Sequence, residues 1–142
     1  MTIDLQPSQH ISVAIARPVG VVDDFLGKPE NFIRWAKGLG ASIRHAGDQV
    51  WVAEGPLGKV NIRFTAANGH GIHDHEVELP TGERVLNPLR VIANGAGSEV
   101  VFSLFHRPGM TGGDFARDAA WVRRDLDALK ALLEGGAAED AS

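Results

Sequence analysis

Two histidines stand one residue apart in "GIHDHEVEL", residues 71 to 79, in the company of three carboxylates. Imidazole is the side chain whose ordinary pKa lies nearest neutrality, so His73 and His75 are the first candidates for a general acid or base. The same His-x-His spacing on a strand also aims two rings at one point, which is what a metal site requires. Strand alternation bears on both ideas. It groups His73 and His75 with Val77 and Leu79, and turns Asp74, Glu76 and Glu78 to the opposite face. Three successive outward carboxylates belong in water, so the histidines are expected on a concave, ligand-facing side. Asp74 is then lost to either ring as an acid partner. A metal would need a third ligand, for which His45 and His106 are the available imidazoles, whereas lining a ligand pocket needs only hydrogen bonds. The bland use is preferred, and no metal or other cofactor is assigned.

If the chain is an enzyme, His75 and His73 are its acid/base candidates, with Asn87 or Arg90 polarising a bound carbonyl. Asn87 precedes Pro88 and has an alternative use in shaping a bulge, and Arg90 has one as the solvated partner of a surface carboxylate. Other chemistries lack their residues. The segment "GLGASI" begins like a dinucleotide fingerprint but carries Ile43 where the third Gly or Ala belongs, and there is no P-loop, Gly-x-Ser-x-Gly or His-Glu-x-x-His. Cysteine and tyrosine are absent, which removes thiolate chemistry, Cys-based zinc and disulfides. Trp35, Trp51 and Trp121 could stack on a flat ligand, although large aromatics are more often core.

The elements that must position these residues follow from periodicity. "HISVAIA" (10–16) alternates as a strand, with Ile11, Val13 and Ile15 on one side. Pro18 then opens a short helix with Val19, Val22, Phe25 and Leu26 on one stripe, and Pro29 opens a second with Phe32, Trp35 and Ala36, ended by Gly38 and Gly40. Turn-rich breaks separate six further strand segments, "SIRHA", "QVWVAE", "KVNIRFTA", "IHDHEVEL", "RVLNPLRVI" and "EVVFSLFHR". After "RPGMTGG" the period becomes 3.6, and Phe115, Ala119, Val122, Leu126, Leu129 and Leu133 form the stripe of one long helix. Thr111 and Asp114 have the spacing of a capping box. The order is α+β, helices segregated from an antiparallel sheet.

That order resembles the helix-grip superfamily, often labelled SRPBCC, which includes START lipid-transfer domains and polyketide cyclases. The likeness rests on "ARPVGVVDDFLGKPENFIRWA" near the start, "FHRPGMTGGDFARDAAWVRRDLDALKALLEG" at the end, and "HDHEVELPTGERVLNPLRVIANGAGSEVVFSLF", which is similar to small bacterial members. It implies one domain over 1–142, with a lead at 1–8 and a flexible tail at 135–142. It also implies a curved seven-stranded sheet around the long helix, two short helices after the first strand, and a cavity for an apolar ligand such as a lipid or polyketide. No catalytic signature of the family accompanies the likeness, and the scaffold serves transport, sensing and catalysis alike. Enzymatic activity is therefore left open, with a cofactor-independent cyclase or dehydratase as the catalytic alternative. Trp35, Trp51, Ile62, Phe64, His73 and His75 are expected to line or border the cavity from one part of the chain. Val77, Leu89, Phe102, Leu104, Val122 and Leu126 are expected to do so from the other.

Composition narrows the partners. Among 142 residues, 14 Lys and Arg face 18 Asp and Glu, a net charge of −4 that gives no attraction for nucleic acid or anionic membrane. The first ten residues lack an apolar signal core and no run is long enough to span a bilayer, so a cytoplasmic protein is expected. A small hydrophobic ligand is the expected partner, and a homodimer or sensory module is left open.

Overall fold

The computed structural model describes residues 2–37, 40–56 and 58–136. Strand β1 (Ser8–Ile15) is followed by helix α1 (Val19–Leu26), a 3-10 turn at Pro29–Asn31 and helix α2 (Phe32–Trp35). Strands β2 (Ser42–Gly47), β3 (Val50–Gly55), β4 (Gly58–Phe64), β5 (His75–Glu78), β6 (Arg84–Asn87), β7 (Leu89–Asn94) and β8 (Gly97–Phe105) come next, then helix α3 (Gly112–Glu134). The expected stop at Gly38 and most of the expected tail, residues 137–142, lie outside the described residues. No described helix is long and apolar enough to cross a membrane.

The single seven-stranded sheet expected from the sequence is not what forms. Two antiparallel sheets are present, β1-β8-β7 and β2-β3-β4-β5-β6. The cause lies in "RVLNPLRVI", which reads as one strand but divides at Pro88, a residue with no N–H for a ladder. Its first half pairs with β5 and its second with β8. The sheets stay joined by backbone: His73 N–H donates to Leu89 O at 2.8 Å and Val91 N–H donates to Gly71 O at 2.9 Å. Gly71, at φ 73°, makes this junction feasible, because any Cβ there would collide with the Val91 carbonyl.

The apolar sides of both sheets and the two short helices meet in one core. Ile11, Val13 and Ile15 of β1 are buried, as are Val22 and Phe25 of α1 and Phe32 and Trp35 of α2. Asn31 ties the two short helices together by donating through Nδ2 to Phe25 O at 3.0 Å. Helix α3 begins with the expected capping box, in which Thr111 Oγ1 accepts from Asp114 N–H and Asp114 accepts from Thr111 N–H.

Helix α3 also closes the free edge of β1. Arg123 donates to Ser12 O at 2.7 Å, Lys130 donates to Ala14 O at 2.6 Å, and Glu134 accepts from Ala16 N–H at 2.8 Å. Spaced seven and four residues apart, these three side chains share one face of the helix. They satisfy backbone groups that would otherwise offer a template for another strand. The helix is thereby held alongside β1 in a fixed register.

Candidate functional site

Between α3 and the sheets lies a cavity of about 520 Å³, within the range that holds small molecules. Its floor carries His75 and Val77 from β5, Val85 and Asn87 from β6, and Phe102 and Leu104 from β8. Phe32 and Trp35 of α2 wall one end, while Arg107 and Met110 stand beyond β8. The roof is one face of α3, where Asp114, Asp118, Trp121, Val122 and Asp125 follow one another at helical spacing.

His75 is the polar group set deepest in this floor, with 2% of its surface exposed. The rings of Phe32, Phe64 and Phe102 surround it at centroid distances of 5.1, 5.9 and 6.3 Å. Burial among these rings disfavours the imidazolium and drives the pKa down to about 4. The ring is therefore neutral at neutral pH and carries one proton. Its Nδ1 lies 3.2 Å from His73 O, and because a carbonyl can only accept, that proton sits on Nδ1. Nε2 is left as a bare acceptor with no partner among the described residues. No buried side-chain nitrogen or oxygen among them lacks a partner, so Nε2 reaches open volume, and the cavity is the volume that His75 lines.

His73 goes elsewhere. Alternation turns it inward, as expected, but its Nε2 meets Asp23 Oδ1 of α1 at 2.7 Å and it is not part of the cavity wall. A His-Asp pair does exist, made with an acid fifty residues away rather than with Asp74. Asp74 instead takes Arg90 through two hydrogen bonds of 2.9 and 2.8 Å and accepts from Leu89 N–H. The Arg90 bonds hold its carboxyl below the ordinary carboxylate range. Arg90 is consequently on the outer face, away from any ligand carbonyl. Asn87 is the strand partner of His75 and shares the cavity floor with it.

The other residues singled out by sequence divide between wall and core. Trp35, Val77, Phe102, Leu104 and Val122 line the cavity beside His75. Ile62, Leu89 and Leu126 are buried in the packed core and do not line the cavity. Phe64 is half-buried behind the floor, edge-on to Phe32 at 5.2 Å, and Trp51 is half-buried against His45 at 4.9 Å. His45 bonds Asp48 O, and His106 bonds Met110 O while stacking on Phe115. Neither joins His73 and His75, and among the described residues no three His, Cys, Asp or Glu side chains converge as a metal would need.

Trp121, a candidate for stacking on a ligand, is in the wall, and beside it stand Asp118 and Asp125, two acids not among the residues singled out from the sequence. The signal was present: Asp118 and Asp125 each fall three residues after a member of the apolar stripe, Phe115 and Val122, and so turn inward with it. Burial raises both carboxyls, Asp125 to about 6. Asp125 also accepts from the Lys37 backbone N–H, which opposes that rise. Trp121 carries the Arg124 guanidinium over its ring at 4.5 Å.

Similarity to known proteins lies at the level of fold. The sequence matches no protein-family model and no curated protein. Among solved structures, DynU16, a protein of the dynemicin biosynthetic locus, superposes with a TM-score of 0.70 at 15% identity, over 91% of this chain and 48% of that one. The chain thus spans about half the length of DynU16. Ara h 8.0201 gives 0.69 at 13% identity, covering 92% and 98% of the two chains. The Aha1 dimer from Colwellia psychrerythraea gives 0.68 at 14%, covering 90% and 96%. The chain has the helix-grip fold in common with these structures.

Proposed function

We propose that this helix-grip chain binds an apolar small molecule, of the lipid or polyketide kind, in the cavity beneath α3, with His75 as the buried acceptor that orients it. The observation that carries the reading is the neutral His75 ring, whose Nε2 is left without a protein partner and opens on a cavity walled by Phe32, Trp35, Val77, Phe102 and Leu104. Burying ligand surface against such walls contributes roughly 25 cal/mol per Å², and one hydrogen bond to Nε2 selects ligands that carry a donor. The location of DynU16 in a biosynthetic locus is in keeping with a metabolite as cargo. Native mass spectrometry of freshly purified protein tests the reading. A retained organic molecule, lost in His75→Phe or in a cavity-filling Val122→Phe variant, is the expected result. A bare protein that also ignores a panel of hydrophobic compounds would overturn it.

A catalytic reading draws on a separate observation, the shared position of His75 and Asn87 on the cavity floor. Asn87 could donate to a carbonyl while His75 takes a proton, as a cyclase or dehydratase would need. A base with a pKa near 4 is poorly matched to neutral pH, which is why binding is preferred. Turnover abolished in His75→Gln with ligand affinity preserved would reverse that order. We propose a cytoplasmic location, with which a chain free of cysteine is compatible. We carry a homodimer as a secondary expectation, which sedimentation tests.

A further inference from the structure

The polar groups of the cavity are unequally satisfied. At the mouth, Arg117 is paired with Asp114 at 2.8 Å and Arg107 with Glu83 at 2.5 Å, so both cations are already neutralised. Asp118 and Asp125, by contrast, make no ion pair among the described residues. A carboxylate withdrawn from water against apolar walls, with no counter-ion, is costly until something positive reaches it. The two acids are not equivalent. They lie two helical turns apart, roughly 10 Å along the axis, so one small cation cannot serve both. Asp118 already feels Arg107 and Arg117. Asp125 is influenced in the same way by Arg124, which lies over the Trp121 ring, and by Lys37, which is exposed, but burial shifts its carboxyl further.

The surroundings of Asp125 suit a cation as well. Trp121 stands one turn before it on the same face of α3, and Trp35 lies two residues before the Lys37 amide that donates to its carboxylate. Aromatic faces attract cations, and the Arg124 guanidinium already uses Trp121 in that way. On the floor, the free nitrogen of His75 offers a lone pair and no proton. Buried His75 and half-buried Asp125 both accept and so favour a ligand that donates, and the carboxylate repels an anion.

Resting on the binding reading above, we infer that the occupant of the cavity is amphipathic, with an apolar ring or chain, a protonated amine set against Asp125, and a hydroxyl or N–H donor on His75 Nε2. An amine satisfies Asp125 by a charge-assisted hydrogen bond where water has been excluded. A neutral ligand leaves the carboxylate desolvated, and a carboxylate-bearing one adds repulsion to that cost.

Three matched probes decide the matter: naphthylmethylamine, naphthylmethanol and naphthoate, titrated at neutral pH into the full-length protein by calorimetry. The expected order is amine first, by about tenfold or more over the alcohol, with naphthoate last. In Asp125→Asn, which keeps an oxygen for the Lys37 amide, the amine should lose its advantage over the alcohol. Equal binding of amine and alcohol by the wild-type protein would overturn the inference and leave the binding reading standing. Retention of the amine preference in folded Asp125→Asn would overturn the assignment to that residue. Failure of all three probes would remove the binding reading and this inference with it. The wild-type comparison decides by itself should the variant not fold.

Discussion

The two halves of α3 face the sheets in different ways. From Leu126 onward the helix is packed: Leu126, Leu129 and Leu133 have no exposed surface, and Lys130 and Glu134 hold it to the edge of β1. Before Leu126, Phe115, Ala119 and Val122 are only half-buried, and the inward face carries Asp118, Trp121 and Asp125 over the cavity. One half therefore supplies stability and the other stands over open space. The difference is made by the side chains below, since the floor groups His75, Val77, Phe102 and Leu104 do not reach up to fill the volume under the first half. Binding capacity in this fold is a local failure of packing, anchored by complete packing next to it.

The largest effect that would break the comparison lies in the packed half. Leu129→Ala should lower stability by about 2–5 kcal/mol, because a fully buried leucine leaves both a lost transfer energy and a cavity. Urea unfolding checks it, and the folded fraction should still take up ligand. A loss under about 1 kcal/mol would mean that the second half is no better packed than the first.

The next effect comes from the floor of the open half. The pKa of His75 lies near 4 rather than 6.5, so between those values the unfolded chain takes up a proton that the folded state refuses. The contribution is intact above about pH 6.5 and is lost as pH falls toward about 4, by roughly 3 kcal/mol in all. His75→Phe should remove this slope from a series of urea melts between pH 7 and pH 4. Imidazole NMR should show a neutral ring protonated on Nδ1 from pH 7 down to about pH 5, with the imidazolium appearing only as pH approaches about 4, and a ring titrating near its ordinary value would put His75 in water.

Much of this arrangement could be read from the sequence, and the remainder was hidden for identifiable reasons. Local periodicity is short-range information, and it sufficed for the capping box at Thr111, the stripe of α3, the buried side of β1 and the inward turn of both histidines. It could not separate His73 from His75, because what divides them is Asp23 on α1, a neighbour only in space. It could not distinguish wall from core among Ile62, Leu89, Val77 and Phe102 either, since all four face inward and only the height of α3 above them decides. Pro88 was visible as a ladder breaker, yet the consequence, two sheets rather than one, depends on which strands flank each half. Asp118 and Asp125 share the inward side of the stripe by spacing alone, but spacing does not single out an acid there as functional until a hollow is known to lie beneath it.

A paired overpacking experiment sharpens the contrast within one helix. Leu133→Phe adds volume where there is no room and should cost about 1–3 kcal/mol. Val122→Phe adds more volume at a site that borders open space, so its stability should change by less than about 0.5 kcal/mol while ligand binding is lost. Thermal melts together with a binding titration on both variants read the two outcomes. Equal destabilisation would mean that the space under the first half is not available to a side chain.

The smallest effect is the most informative about why the open half keeps its acids. Burial lifts the Asp125 carboxyl to about 6 against an ordinary 3.8, so the folded state holds a proton that the unfolded chain has released between those values. Its contribution to stability therefore grows as pH falls through about 6 and is complete near 3.8, the opposite direction to His75. Above pH 6 the ionised group is a liability. Partial solvation limits that liability to something on the order of 1 kcal/mol. Asp125→Asn should then be the more stable protein at pH 7 by about that amount and should lose its advantage near pH 4, as urea melts at the two pH values would show. A variant less stable than wild type at pH 7 would mean that the Lys37 amide compensates the carboxylate in full and that Asp125 belongs to the structure. A more stable variant identifies a group kept at a cost to folding, and in the half of the helix that is not packed, the gain that offsets such a cost has to come from what enters the cavity.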